Sequence, residues 1–129
     1  MTQQKAINIW IDGAVDALDT CDKLFESKKY AHALFFLHLA VEKIIKALYI
    51  SKIDSSPPFI HNLKLLVEKS KTKFSGEEAK QLDEISEYNV STRYDDYKYK
   101  IYLRATKEYT TNWIKIGKKL YEKYKKDCK

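Results

Sequence analysis

Glycine and proline are scarce throughout this chain. Three glycines and two prolines occur among 129 residues, whereas their usual shares are roughly 7% and 5%. β-Sandwiches and β-barrels need turn residues at intervals of about 8–12 positions, and this chain cannot supply them. Because 44% of the residues are hydrophobic and 33% are charged, the chain can still bury a core. We therefore expect one all-α domain spanning residues 1–129.

Three long segments have apolar residues at every third or fourth position, which is the spacing of an amphipathic helix. They cover residues 3–27, 29–51 and 102–124. Gly13 lies inside the first segment, and a glycine within a helix indicates close packing against a neighbour. These segments predict three long helices.

Two shorter helices are predicted between the second and third long ones. Asn62 is a suitable N-cap for the first of them. Ser75 and Glu78 have the spacing of a capping box and would open the second. Residues 88–100 lack a clean apolar stripe, so we interpret them as an ordered loop. The expected fold is an antiparallel up-and-down bundle of three long and two short helices.

The second long helix is apolar over most of its circumference, which predicts that several neighbours bury it. Its polar residues include His38, Glu42 and Lys46, which share one sector of the helix. Apolar side chains lie in the same sector and need another cover, such as a second copy of the chain. The residues predicted to form this dimer interface are Ala31, Phe35 and Leu39.

The net charge of +6 is concentrated near the C-terminus. Residues 115–129 contain seven lysines and two acidic residues, a local charge of +5. A solvated helix end explains this charge, since cations stabilise a helix C-terminus. Contact with nucleic acid is the alternative, although the chain has only two arginines to bind phosphates.

Metal and membrane sites are not expected. No two of the three histidines, His32, His38 and His61, are three or four positions apart, so none has ligand spacing on a helix, and we expect no metal and no cofactor. Cys21 and Cys128 do not make a disulfide framework and fit free thiols in the cytoplasm. No apolar stretch is long and uncharged enough to span a membrane.

Two groups of residues could contact a ligand. His38, Glu42 and Lys46 follow one another at single-turn intervals and form either a polar seam or a surface for proton transfer or phosphate contact. The other group is Arg93, Tyr94 and Asp95, in which the arginine binds a phosphate or is anchored by an acidic neighbour. We expect this second group to fold back towards the first, with Arg93 meeting a phosphate or Glu42.

Three segments together resemble the HEPN family. Residues 30–49 (YAHALFFLHLAVEKIIKALY) are similar to its central helix, with a His-x-x-x-Glu-Lys-x-x-Lys-Ala core beginning at His38. Residues 57–63 (PPFIHNL) resemble a Pro-Pro-x-x-His-Asp-Leu segment, with Asn62 in place of Asp. Residues 92–96 (TRYDD) resemble an Ala-Arg-Tyr-Pro-Asp segment, with Asp95 in place of Pro.

The resemblance implies an antiparallel helical bundle that pairs as a homodimer. Such proteins are often encoded beside a minimal nucleotidyltransferase, as a two-gene toxin–antitoxin-like pair. Many are RNases that use an Arg-x(4–6)-His motif, which is absent here. The positions that would follow Arg93 hold Lys98, Tyr99 and Lys100, and those that would follow Arg104 hold no histidine either.

The sequence therefore favours a non-catalytic protein that binds a nucleotide or a nucleotidyltransferase partner. One alternative is a divergent RNase or other enzyme of nucleic-acid metabolism that uses His38 and Arg93. Another is a structural interaction module without a ligand.

Overall fold

The computed structural model describes residues 1–89 and 95–128, with all of their side chains except those of residues 95–98. This part of the chain contains helices and no strand, as the sequence predicts. In chain order the helices are α1 (Gln3–Glu26), α2 (Tyr30–Ile53), α3 (Leu63–Lys69), α4 (Gly76–Ser86), α5 (Asp95–Arg104) and α6 (Lys107–Asp127).

Helices α1 and α2 form an antiparallel hairpin. Lys28 turns the chain between them with a left-handed backbone, φ 62°. At the open end of the hairpin, Gln3 Nε2 donates a hydrogen bond to the carbonyl of Ile50 at 2.9 Å. The prediction that Gly13 packs closely is confirmed, because a Cβ at this position would lie 3.2 Å from the side chain of Lys43.

Helix α2 is the centre of the bundle. It packs most extensively against α1 and next against α6, and it also contacts α3, α4 and α5. More than half of its residues are buried, including three that are polar or charged. The prediction of a central second helix is confirmed, because an apolar surface of this width needs neighbours on several sides.

Side-chain caps fix the starts of four helices, among them α3, α4 and α6. Asn62 accepts a hydrogen bond from Leu65 N at the start of α3, and Ser75 with Glu78 forms the predicted capping box of α4. Thr106 accepts from Tyr109 N and begins α6. These oxygens satisfy backbone N–H groups that have no partner within the helix.

The interpretation of residues 88–100 as one loop is wrong for its second half, because α5 begins at Asp95 and gives the described chain six helices rather than five. Among those of residues 95–105 whose side chains are described, only Ile101 of α5 and Ala105 after it are buried. Two buried residues are too few to form an apolar stripe that the sequence could reveal. The last long helix begins at Lys107 rather than near Tyr102, because the Thr106 cap interrupts the periodic pattern.

Two lysines of the basic C-terminal segment are bound to acidic residues of other helices. Lys118 Nζ contacts Asp22 of α1 at 2.9 Å, and Lys123 Nζ contacts Glu78 of α4 at 2.5 Å. Part of this charge therefore ties α6 to its neighbours. Among the described helices, none has the length and apolar character needed to cross a bilayer.

We expect Gly117→Ala to destabilise the protein by about 1–3 kcal/mol through overpacking. A Cβ at Gly117 would lie 2.5 Å from Cδ1 of Leu37, which is fully buried, so the core would have to shift. Gly76→Ala is the matched control, because a Cβ there would meet nothing within 4 Å. Urea unfolding of both variants measures the difference, and equal stability would contradict the tight contact between α2 and α6.

Candidate functional site

The polar row of α2 is buried beneath the segment that follows the helix. Helix α2 ends at Ile53, and its C-cap Asp54 has a left-handed backbone (φ 55°) that turns the chain back. Residues 55–62 then lead to α3 and bring His61 against α2. His38, Glu42 and Lys46 are 0%, 6% and 5% exposed. We call these three residues and His61 the Glu42 cluster.

Both oxygens of the Glu42 carboxylate accept hydrogen bonds. Lys46 Nζ donates to Oε2 at 2.9 Å, and His61 Nδ1 donates to Oε1 at 3.0 Å. Burial alone would raise the pKa of Glu42, but these two hydrogen bonds outweigh it and hold the pKa below the ordinary value of 4.5. Glu42 is therefore an ionised carboxylate inside the bundle.

His38 is a neutral, buried histidine that holds the backbone of His61. Its Nε2 lies 3.2 Å from the carbonyl oxygen of His61, so Nε2 carries the proton and donates it to this acceptor. Burial lowers the pKa of His38 from 6.5, and the nearby charge of Glu42 only partly opposes this. Its Nδ1 has no hydrogen-bond partner among the described residues.

His61 is the member of the cluster that sequence analysis missed as a site residue. It lies 19 positions from Glu42, so no helical spacing connects the two. The segment of residues 57–63 that resembles the HEPN family contains His61 and was the available signal. The His61 side chain is 55% exposed, whereas the other three members are enclosed.

A cavity and an aromatic ring flank the cluster. Nζ of Lys43 and Nζ of Lys46 lie 5.5 and 5.4 Å from the centre of the Trp10 ring, which is within the range of cation–π attraction. Trp10 also lines an open cavity of about 530 Å³ between the start of α1, Ile50 and residues 54–57. An aromatic face, two ammonium groups and an open cavity thus lie next to one another.

The second predicted group lies largely outside the described residues. Arg93 and Tyr94 are not among them, and Asp95 is described only as the first residue of α5. Their predicted approach to Glu42 therefore stays a prediction. The predicted interface residues Ala31, Phe35 and Leu39 are all half-buried on α2.

The other arginine, Arg104, joins α5 to α4. One of its guanidinium nitrogens contacts Glu84 at 3.0 Å and Glu87 at 3.2 Å. Glu84 also accepts hydrogen bonds from the hydroxyls of Tyr88 and Tyr109, so α4, α5 and α6 meet at this carboxylate. Burial, with the charge of Glu84, raises the pKa of Tyr88 above its ordinary value.

Residues 1–89 and 95–128 contain no group of three or more histidines, cysteines or carboxylates placed to hold a metal ion. Both cysteines are free thiols. Burial raises the pKa of the Cys21 thiol to about 12, so this sulfur is protonated at neutral pH.

The stability of the protein should fall as the pH drops below about 6.5, because the pKa of buried His38 is lowered from that value and unfolding then takes up a proton. The stability that buried, neutral His38 contributes is complete above this pH and is lost as the pH falls through the lowered pKa of His38. Glu42, whose pKa is also lowered, adds a second loss below about 4.5. Denaturant midpoints across this range measure both, and His38→Gln should remove the first decline only. A first decline that persists in this variant would contradict the assignment to His38.

Comparison with known protein families agrees with this architecture. The HEPN domain matches residues 7–127, which is nearly the whole chain. No curated protein and no solved structure gives a significant match. HEPN domains are helical, as this chain is, and the match confirms the resemblance of the three sequence segments. The chain therefore belongs to the HEPN domain family.

Proposed function

We propose that this HEPN domain is a non-catalytic binding component whose ligand is a nucleotide held beside Trp10. The observation that carries the proposal is the open cavity of about 530 Å³ that Trp10 lines. Small-molecule sites commonly have volumes of about 300–1,000 Å³, and a tryptophan ring offers a face on which a base can stack.

The charges beside Trp10 suit a phosphate group. Lys46 is neutralised by Glu42 at 2.9 Å. Lys43 lies against the same ring, and no carboxylate among the described residues forms an ion pair with it. Its ammonium group is therefore available to an anion. Arg93, with Tyr94 and Asp95, is the predicted second phosphate contact.

Two features support binding rather than catalysis. The chain lacks an Arg-x(4–6)-His motif, and Arg104 is held by two glutamates of α4. His38, Glu42 and Lys46 are buried and bonded within the Glu42 cluster, so they orient neighbours rather than reach a substrate. The two free thiols suit the cytoplasm as the place of action.

A homodimer is the second part of the proposal. Ala31, Phe35 and Leu39 remain half-buried on the helix that is otherwise the most enclosed. An obligate interface of about 2,000 Å² or more would cover them. This face lies beside His38 on α2, so a second copy would sit next to the Glu42 cluster.

A nucleotidyltransferase of a toxin–antitoxin-like pair is a second candidate occupant of this side of the bundle. The observation that favours a further partner is Phe59, which is 100% exposed in the segment between α2 and α3. An exposed aromatic side chain is a frequent anchor of protein–protein interfaces. If the half-buried face of α2 does not form a homodimer, this partner is the preferred occupant.

Calorimetric titration with AMP and ATP should detect binding to the wild-type protein. Trp10→Ala should weaken it about fivefold or more, because loss of one stacked base costs about 1–3 kcal/mol. Trp113→Ala is the matched control, since Trp113 packs against Tyr109 of α6, 6.1 Å between ring centres, rather than at the cavity. With Trp113→Phe, any nucleotide-dependent fluorescence change reports Trp10 alone.

The contribution of Arg93 is tested in the same titrations, with Arg104→Ala as the control for loss of an arginine. Arg93→Ala should lower the affinity and Arg104→Ala should not. Absence of binding to the wild type at about 1 mM nucleotide would exclude the nucleotide proposal. Metal-independent cleavage of RNA that Arg93→Ala abolishes would support the divergent RNase instead.

Light scattering at micromolar concentration should give twice the 15.2 kDa chain mass for the wild-type protein. Phe35→Glu should give the monomer, because a charge buried in an interface without a partner is costly. Val15→Glu is the control, since Val15 is 49% exposed on α1, outside the predicted interface. A wild-type protein that scatters only as a monomer would contradict the homodimer.

A further inference from the structure

His61 is held at two points by α2. Its backbone carbonyl accepts a hydrogen bond from His38 Nε2 at 3.2 Å, and its Nδ1 donates to Glu42 at 3.0 Å. The second bond places the ring proton on Nδ1, so in the neutral ring Nε2 carries the lone pair. Within the described residues, no hydrogen bond engages this Nε2. The side chain is 55% exposed, so a half-exposed, oriented ring keeps one nucleophilic nitrogen that no described residue engages.

The Glu42 cluster offers one reactive atom rather than an acid–base pair. His38, Glu42 and Lys46 are at most 6% exposed. General acid–base catalysis needs a second group that exchanges a proton with the other end of the substrate. The three buried residues cannot contact a substrate, so they cannot supply this group. A single oriented imidazole nitrogen can instead accept a transferred group, as nucleophilic histidines do.

We propose that His61 Nε2 is a phosphoryl acceptor, so that this domain can carry a phosphohistidine. The donor class is a small phosphoryl compound with a good leaving group. The proposal does not depend on nucleotide binding beside Trp10. It assigns the buried residues of the cluster a chemical role, because they set the tautomer and the direction of the ring.

The transfer is balanced with phosphoramidate as the donor. The Nε2 lone pair attacks phosphorus, and the new P–N bond forms as the P–N bond of the donor breaks. The donor nitrogen leaves as ammonia with the hydrogens that it already carries in its protonated form. Nδ1 of His61 keeps its proton on the hydrogen bond to Glu42, and the carboxylate offsets the positive charge that the ring acquires.

The surroundings also favour the added negative charge. Glu42 carries −1, while Lys43 and Lys46 carry +1 each, and both ammonium groups lie within 5.5 Å of the centre of the Trp10 ring. Lys46 and Glu42 offset each other, so Lys43 is the ammonium group beside Trp10 whose charge no described carboxylate offsets. Lys46 contacts the same carboxylate that holds His61. The ammonium charge of Lys46 is therefore separated from the modified ring by the Glu42 carboxylate alone.

The experiment treats the full chain with phosphoramidate and locates the added phosphoryl groups by mass spectrometry of peptides at alkaline pH. His32 is an internal control, because it is an exposed histidine of α2 without a described carboxylate partner. His61 should be labelled about tenfold faster than His32, because its hydrogen bond to Glu42 strengthens as the ring becomes positive during the transfer, and a hydrogen bond to a charged group has about this size. His61→Gln should lose the fast site and keep the slow one.

The variant Glu42→Gln tests whether the charge of Glu42, rather than the exposure of the ring, accelerates the labelling of His61. Glutamine keeps the size of the side chain and removes its charge. Labelling of His61 in this variant should fall to the rate of His32. If the variant does not fold, the ratio of the two sites in the wild-type protein decides alone. Equal rates at His61 and His32, or no label on His61, would overturn the proposal and leave the cluster as an anchor for the segment after α2.

Discussion

The buried charge of Glu42 is the constraint that organises this side of the bundle. A carboxylate removed from water costs several kcal/mol unless cations and hydrogen-bond donors replace the lost solvent. Lys46 supplies one donor from the same helix, and His61 supplies the other from the segment after α2. This segment must therefore lie along α2. Its position in turn fixes the start of α3, where Leu63 N donates to the hydroxyl of Ser86 at the end of α4.

The helices that sequence analysis predicted are those whose apolar residues repeat over many turns. The period places α1, α2 and α6 and indicates that α2 is central, because its apolar surface is too wide for one neighbour. Local hydrogen bonding of the N-cap residues places the short helices α3 and α4. Helix α5 was missed because it is held by charged contacts, such as that between Arg104 and Glu84, 20 positions apart, and these leave no periodic pattern.

The candidate site was only half visible for the same reason. One-turn spacing brings His38, Glu42 and Lys46 together on a helix, and the structure confirms this adjacency. Their burial and the contact with His61 depend on where residues 55–62 cross α2, which no spacing within a helix reveals. Sequence analysis therefore found the three polar residues of α2 but not His61, which they hold in place.

The two hydrogen bonds that hold His61 have different consequences, because one acts on its backbone and the other on its side chain. The bond from His38 to the backbone carbonyl would tether the segment whatever side chain stood at position 61. The hydrogen bond that Nδ1 donates to Glu42 involves the imidazole itself and fixes its tautomer and direction. Phe35 lies one helical turn before His38, on the half-buried face of α2. A second chain on that face would lie beside His38, the residue that holds the backbone of His61.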